Sequence, residues 1–254
     1  MYRGFGLRIG VRATERRVLE ALGDAPTAGL HPSPGSSPFV DRLYCIVSGA
    51  PQDRVRRYSL AYADLGLIAR SLDEDAVIAI VRSDIERAIA ERARTRVFVH
   101  AGVVGWRGGA IVIPGATHSG KTSLVRALVR AGAVYYSDEY AVLDGLGRVH
   151  PFARPLAPRD AGGLPTAAAD APIHGRPPLP IRHVVATRFI AGAEWRPQPL
   201  TRAETFMALL RNTVAIRSVP DRAMRALHSA VATASGHESA RGDAAATARA
   251  LLAA

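Results

Sequence analysis

The stretch Gly115-Ala116-Thr117-His118-Ser119-Gly120-Lys121-Thr122 constrains this chain more than any other. It follows the pattern G-x-x-x-x-G-K-[ST] and sits between an apolar run, Ala110 to Ile113, and a helical run from Ser123 to Arg130. Two glycines let the backbone curl until successive N–H groups face inward around an anion, and a helix beginning there adds its positive end. The pattern has meaning only with a strand behind it and a helix ahead, so eight residues dictate strand, loop and helix in that order. The amides from Gly115 through Ser123, that of His118 included, would then surround the phosphates of a nucleotide. Lys121 would reach the outer phosphates, and the Thr122 hydroxyl would be left to ligate Mg²⁺. Lys121 is also the only lysine among 33 basic residues. The single ammonium stands where a slim, flexible cation is needed and a broad planar guanidinium would not fit.

The flanks extend the pattern. Val97 to Val104 reads as a strand, Gly105-Trp106-Arg107-Gly108-Gly109 as a tight loop and Ala110 to Ile113 as a second strand. Five connecting residues cannot carry a parallel crossover, so the strands are expected to be antiparallel neighbours. A symmetric loop pairs Val104 with Ala110 and sets His100 opposite Pro114, at the mouth of the phosphate loop. Beyond it, Lys121 to Ala131 carries Leu124, Val125, Leu128 and Val129 on one side and ends at Gly132, a good C-terminal cap. Ala133 to Tyr136 is then an apolar run that delivers Ser137-Asp138-Glu139. Adjacent carboxylates on the strand after a loop helix suit metal organisation or proton acceptance. The plainer alternative is two solvated acids at a strand end. Tyr140 to Asp144, the turn Gly145-Leu146-Gly147 and Arg148 to Phe152 form a second hairpin. Two hairpins around one phosphate loop predict an α/β chain with a mixed, largely antiparallel sheet rather than a doubly wound parallel one.

The remainder divides around this centre: an accessory α+β region over residues 1–94, a nucleotide-binding domain over 95–220 and a helical segment over 221–254. The first region shows strand patterns at Phe5 to Val11, Leu43 to Val47 and Arg57 to Tyr62, a helix at Glu15 to Leu22, and helical spacing from Asp73 to Arg94. The capping-box sequence Ser83-Asp84-Ile85-Glu86 suggests that the last of these is two helices meeting near Arg82. Residues 153 to 180 form a long Pro/Ala/Gly-rich loop in which Arg154 and Arg159 are candidates for neutralising charge on a transferred phosphoryl. Ile181 to Ile190 and Trp195 to Pro199 read as a strand pair. Thr201-Arg202-Ala203-Glu204 opens a helix with a capping box. Asn212 to Val219 reads as strand-like, and Asp221 to Ala254, rich in Ala, as helical.

Composition narrows the class. With 254 residues, 48% of them hydrophobic, the chain can bury a sizeable core. No apolar run reaches a membrane span and the N-terminus lacks a signal-peptide core, so the expectation is a cytoplasmic protein with no membrane partner. Cys45 is the only cysteine, is expected to be buried, and excludes an internal disulfide or a cysteine metal cluster. The other histidines, His31, His150, His174, His183, His228 and His237, show no metal-ligand spacing. A net charge of +11 would suit nucleic acid, but the arginines are scattered, with no basic run interleaved with aromatics. That scatter argues against a nucleic-acid partner. Self-association is left open.

The ordered set His100-Ala101-Gly102, the phosphate loop and Ser137-Asp138-Glu139 resembles the catalytic domain of the HPr kinase/phosphorylase family. That family carries a His-Gly pair on the strand before the loop and an Ala-Asp-Asp on the next strand. The resemblance covers roughly residues 96 to 152 and continues more loosely to about 220. It implies a phosphate-loop, phosphoenolpyruvate-carboxykinase-like nucleotide fold and a Mg²⁺/ATP-dependent kinase acting on a hydroxyl. It also implies that Asp138 accepts the proton of a serine on a peptide or small protein while His100 tunes that carboxylate. Glu139 stands at the family's second Asp and would join Thr122 at the metal. The family's later acidic signature, which bears on the second metal ligand and on phosphorolysis, has no counterpart in Pro151 to Pro165. The N-terminal region also differs, so HPr itself is not the expected acceptor. A nucleotide-gated regulatory ATPase and a small-molecule or carboxykinase-like enzyme remain the alternatives.

Overall fold

The computed structural model describes residues 1–33, 39–49, 57–116, 119–152 and 176–253, which form two compact units, Met1–Thr95 and Arg96–Ala254. Thr117, His118, Arg154, Arg159 and His174 lie outside the described residues.

The first unit is a six-stranded mixed sheet with two helices. Its strands are β1 (Tyr2–Gly4), β2 (Leu7–Ala13), β3 (His31–Pro32), β4 (Arg42–Val47), β5 (Ser59–Ala63) and β6 (Gly66–Ser71), in the order β3-β1-β2-β4-β5-β6. The strand expected at Phe5 to Val11 is β2, which begins at Leu7; Phe5 at φ 55° and Gly6 at φ 79° form the two-residue turn that joins it to β1. Helix α1 spans Arg16–Leu22, and α2 is one helix over Glu74–Arg92, not two meeting at Arg82. The cap is Asp73, whose carboxylate accepts from the Asp75 and Ala76 amides. Asp84, expected inside a second cap, instead accepts from the Tyr44 hydroxyl at 2.8 Å and from Arg42 at 2.9 Å. The helix therefore runs on, with Val77, Val81, Ile85 and Ile89 buried along one face. Cys45 is half-buried.

The second unit is a mixed α/β structure around an eight-stranded sheet. In chain order it contains β7 (Val97–Trp106), β8 (Gly109–Pro114), α3 (Lys121–Arg130), β9 (Val134–Ser137), β10 (Tyr140–Leu143), β11 (Val149–His150), β12 (Ile181–Phe189), β13 (Gln198–Leu200), α4 (Arg202–Leu210), α5 (Pro220–Val231), β14 (Ser235–Arg241) and α6 (Ala244–Ala253). The strand order is β11-β10-β7-β8-β12-β14-β13, with β9 also on β7. Helices α3 and α6 pack through Leu124, Leu128, Ala248 and Leu252 with Ile111, Ile113 and Val185. Helices α4 and α5 contribute Leu209, Ala226, Leu227 and Val231 to a separate cluster with Val97, Val99, Val112 and Val184.

Four expectations change. The β7–β8 turn uses two residues, Arg107 at φ 45° and Gly108 at φ 77°, so Ala110 pairs with Gly105 rather than Val104. The segment expected to be wholly helical after Asp221 contains β14, which pairs parallel with β12 and antiparallel with β13. β14 itself holds Gly236 and a single alanine, Ala240, so its helix preference is weak, and hydrogen-bond partners on both edges fix it as a strand. Because β14 lies between them, β12 and β13 do not form the expected hairpin, and β12 runs parallel to β8. Asn212 to Val219 forms no strand; it supplies a single bridge, Thr213 to Val99, beyond the end of β8. The capping box of α4 forms as expected, with the Glu204 amide donating to the Thr201 hydroxyl and the Thr201 amide donating to Glu204.

Candidate functional site

β8 runs into the phosphate loop and α3 leaves it, so the loop lies at the carboxyl end of a buried strand. Both glycines of the motif answer a geometric demand. A side chain at Gly115 would put its first carbon 2.7 Å from the Ser119 Oγ. Gly120 has φ 83°, and a first carbon there would fall 2.4 Å from an Arg241 nitrogen. The N-terminus of α3 has no side-chain cap, which leaves the first-turn amides to whatever binds there.

Lys121 is 7% exposed and its ammonium donates to the Gly115 carbonyl at 2.8 Å and the Ala116 carbonyl at 2.7 Å. Burial lowers its pKa below the ordinary lysine value, a shift that the charges of Glu139 and Asp138 oppose. The cation thus stands against the Gly115 and Ala116 carbonyls, within the field of both carboxylates.

β9 and β10 lie along the same edge of β7. Ser137 pairs with Val103 and Tyr140 with His100, so the register is kept across Asp138 and Glu139. The Ala101 amide donates to the Glu139 carbonyl at 3.1 Å and continues the ladder between them. That register sets Asp138 opposite Gly102, on the face where a side chain at residue 102 would meet α3: its first carbon would lie 2.5 Å from a Val125 methyl. The bare glycine lets α3 approach the sheet, and Asp138 meets its first turn. One Asp138 oxygen lies 3.5 Å from the Thr122 hydroxyl, and the other accepts from the Tyr135 hydroxyl at 2.9 Å.

His100 keeps its place at the loop mouth despite the shifted pairing, since its carbonyl accepts from the Gly115 amide at 3.2 Å. Its ring rests 4.8 Å from that of Tyr140, which packs edge-on with Phe98 and Phe152. The carboxylate in contact with it is Glu139, with Nδ1 to Oε1 at 3.6 Å, not the expected Asp138. The two acids therefore divide: Asp138 faces Thr122, whereas Glu139, the expected metal ligand, stands against His100.

The Thr122 hydroxyl and the Asp138 carboxylate, 3.5 Å apart, are hard oxygen donors of the kind that Mg²⁺ takes. That donor set fits Mg²⁺ held jointly by a protein carboxylate, a hydroxyl and phosphate oxygens. Among the described residues no group of three or more His, Cys, Asp or Glu could hold a metal alone.

Lys121, Thr122, Asp138, Glu139 and His100 thus share one locality beside Gly115, Ala116, Ser119, Gly120 and Ser123, while Thr117, His118 and Arg159 fall outside the described residues. Sequence reasoning passed over Tyr135 and Arg241, and quoted Gly102 only as part of the motif that begins at His100. Tyr135 stands three residues before Asp138, a spacing that gives no signal on a strand. Arg241 lies in the Ala-rich tail, where nothing marks it. No described helix is long and apolar enough to cross a membrane. No family model, curated protein or solved structure matches the chain.

Proposed function

We propose that this chain is a Mg²⁺/ATP-dependent kinase that passes the γ-phosphoryl group to a hydroxyl, that of a serine on a peptide or small protein. One observation carries the reading: Asp138, tethered by Tyr135, faces the Thr122 hydroxyl at the first turn of a phosphate-loop helix whose lysine is buried in the same field. The resemblance to the HPr kinase/phosphorylase family, with its phosphoenolpyruvate-carboxykinase-like fold, supports the same assignment through His100, the loop and Asp138.

In this mechanism the loop amides and the α3 N-terminus cradle the phosphates. Lys121 exchanges its two carbonyl partners for phosphate oxygens. Thr122 and Asp138 would hold Mg²⁺, which would supply neutralisation of the phosphate charge. Asp138 orients the acceptor alcohol and takes its proton as the new O–P bond forms and the bond to ADP breaks; the Tyr135 hydroxyl keeps the carboxylate aimed. Glu139 and His100 line the adjoining flank.

The test is incubation with γ-labelled ATP and candidate serine peptides, followed by mass mapping of the modified residue. Wild type is expected to label a serine, and Asp138→Asn to lose about 10³-fold in transfer while still binding nucleotide through Lys121 and the loop amides. ATP hydrolysis with no labelled acceptor would instead favour a regulatory ATPase in which Glu139 arranges a water.

A further inference from the structure

β8, β12 and β14 run parallel and adjacent, so their carboxyl ends lie side by side. β8 enters the phosphate loop, β12 ends at Phe189 and β14 at Arg241. Asp138 and Glu139 are on the β7 side of β8, so a triphosphate whose outer phosphate points toward them sends its other end toward β12 and β14. A pocket of about 510 Å³ opens there, lined by Gly120, Ser123, Phe189, Gly192, Arg241 and Asp243 among others.

Arg241 is 2% exposed. One of its terminal nitrogens donates to the Gly120 carbonyl at 2.7 Å, while its Nε is buried with no partner among the described residues. A buried guanidinium served by one neutral oxygen is costly, and burial lowers its pKa. An anion beside it would offset that cost. Phe189 has the opposite character: the residue is 55% exposed, with the guanidinium carbon 5.8 Å from its ring centroid. A flat apolar face, a cation in need of an anion and the first turn of α3 at Ser123 thus meet in one pocket.

We propose that this pocket receives the nucleoside end of the nucleotide, with the base against the Phe189 ring and the inner phosphate between Arg241 and the Ser123 amide. The assignment rests on the kinase reading only in taking the loop as a nucleotide cradle. Aromatic rings hold bases of any sequence through their faces, and a guanidinium is well suited to phosphate.

Calorimetric titration with Mg-ATP and with Mg-tripolyphosphate separates the two halves of the site. Wild type is expected to bind ATP at least about tenfold more tightly than tripolyphosphate, and Phe189→Ala to lose about tenfold for ATP and nothing for tripolyphosphate. Arg241→Gln, its fold checked by thermal melting, is expected to weaken both ligands. If that variant does not fold, the exposed Phe189 position decides. Equal affinity of wild type for the two ligands, or unchanged ATP affinity in Phe189→Ala, overturns the pocket and leaves the phosphate loop standing. Binding of neither ligand overturns the loop reading and the pocket with it.

Discussion

Lys121 concentrates the residue-scale physics of this protein. Its buried ammonium bonds to two carbonyls of its own loop, and the same charge is what a triphosphate requires. Lys121→Met should weaken Mg-tripolyphosphate binding by about 10- to 100-fold, the worth of one or two charge-assisted hydrogen bonds, measured by calorimetry. Because burial lowers the Lys121 pKa, affinity should be full at low pH and fall as pH rises through that lowered value, below the usual 10.5. A titration series in which affinity held unchanged past pH 10.5 would contradict this. As the only lysine, Lys121 is also the only ε-amine, so an amine-directed reagent followed by mass mapping should report it and the N-terminus alone, with protection of Lys121 by ATP. Under the proposed kinase reading, Tyr135 has a narrower role as a positioning residue. Tyr135→Phe removes the donor at 2.9 Å from Asp138 and should slow transfer about fivefold, the worth of roughly 1 kcal/mol, with nucleotide affinity retained.

At the scale of elements, the close approach of α3 to β7 depends on Gly102. A methyl group there would sit 2.5 Å from Val125 Cγ2 and force the loop helix away from the sheet. Gly102→Ala should cost about 1–3 kcal/mol in a denaturant melt and weaken nucleotide binding as well, since Thr122 moves away from Asp138. The same element pair shows what local patterning can and cannot convey. The strand, loop and helix were legible because glycine spacing and apolar periodicity act over a few residues. The pairing of Ala110 with Gly105 was not, because it turns on Arg107 taking a positive φ, which its side chain does not advertise. His100 nevertheless reached the loop mouth, since the pleat of its own strand sets its face whatever its partner.

For the molecule as a whole, each unit carries a carboxylate whose charge supports folding. Burial pushes Asp84 upward, but the hydrogen bonds of Tyr44 and Arg87 and the charges of Arg42 and Arg87 outweigh it and leave the pKa lowered. Asp144 is likewise lowered: burial opposes, and His150, Arg148 and the Leu146 amide prevail. A depressed carboxyl stabilises fully above its unfolded value of about 3.8 and loses that contribution as pH falls through the folded value. Melting temperature should therefore drop steeply below about pH 4, and Asp84→Asn should cost about 3 kcal/mol at neutral pH while flattening that acid limb. The amino-acid sequence by itself determined the phosphate loop, its flanking strand and helix, the carboxylates that follow and the mixed α/β class, because each follows from backbone freedom and periodicity within a short window. Only the tertiary structure decided that β14 enters the sheet beside β12, that Asp138 rather than Glu139 faces Thr122, and that Arg241 lies under Gly120. Those choices belong to segments as far as 121 residues apart, whose pairing is set by hydrogen bonds and packing made only once the chain has closed on itself.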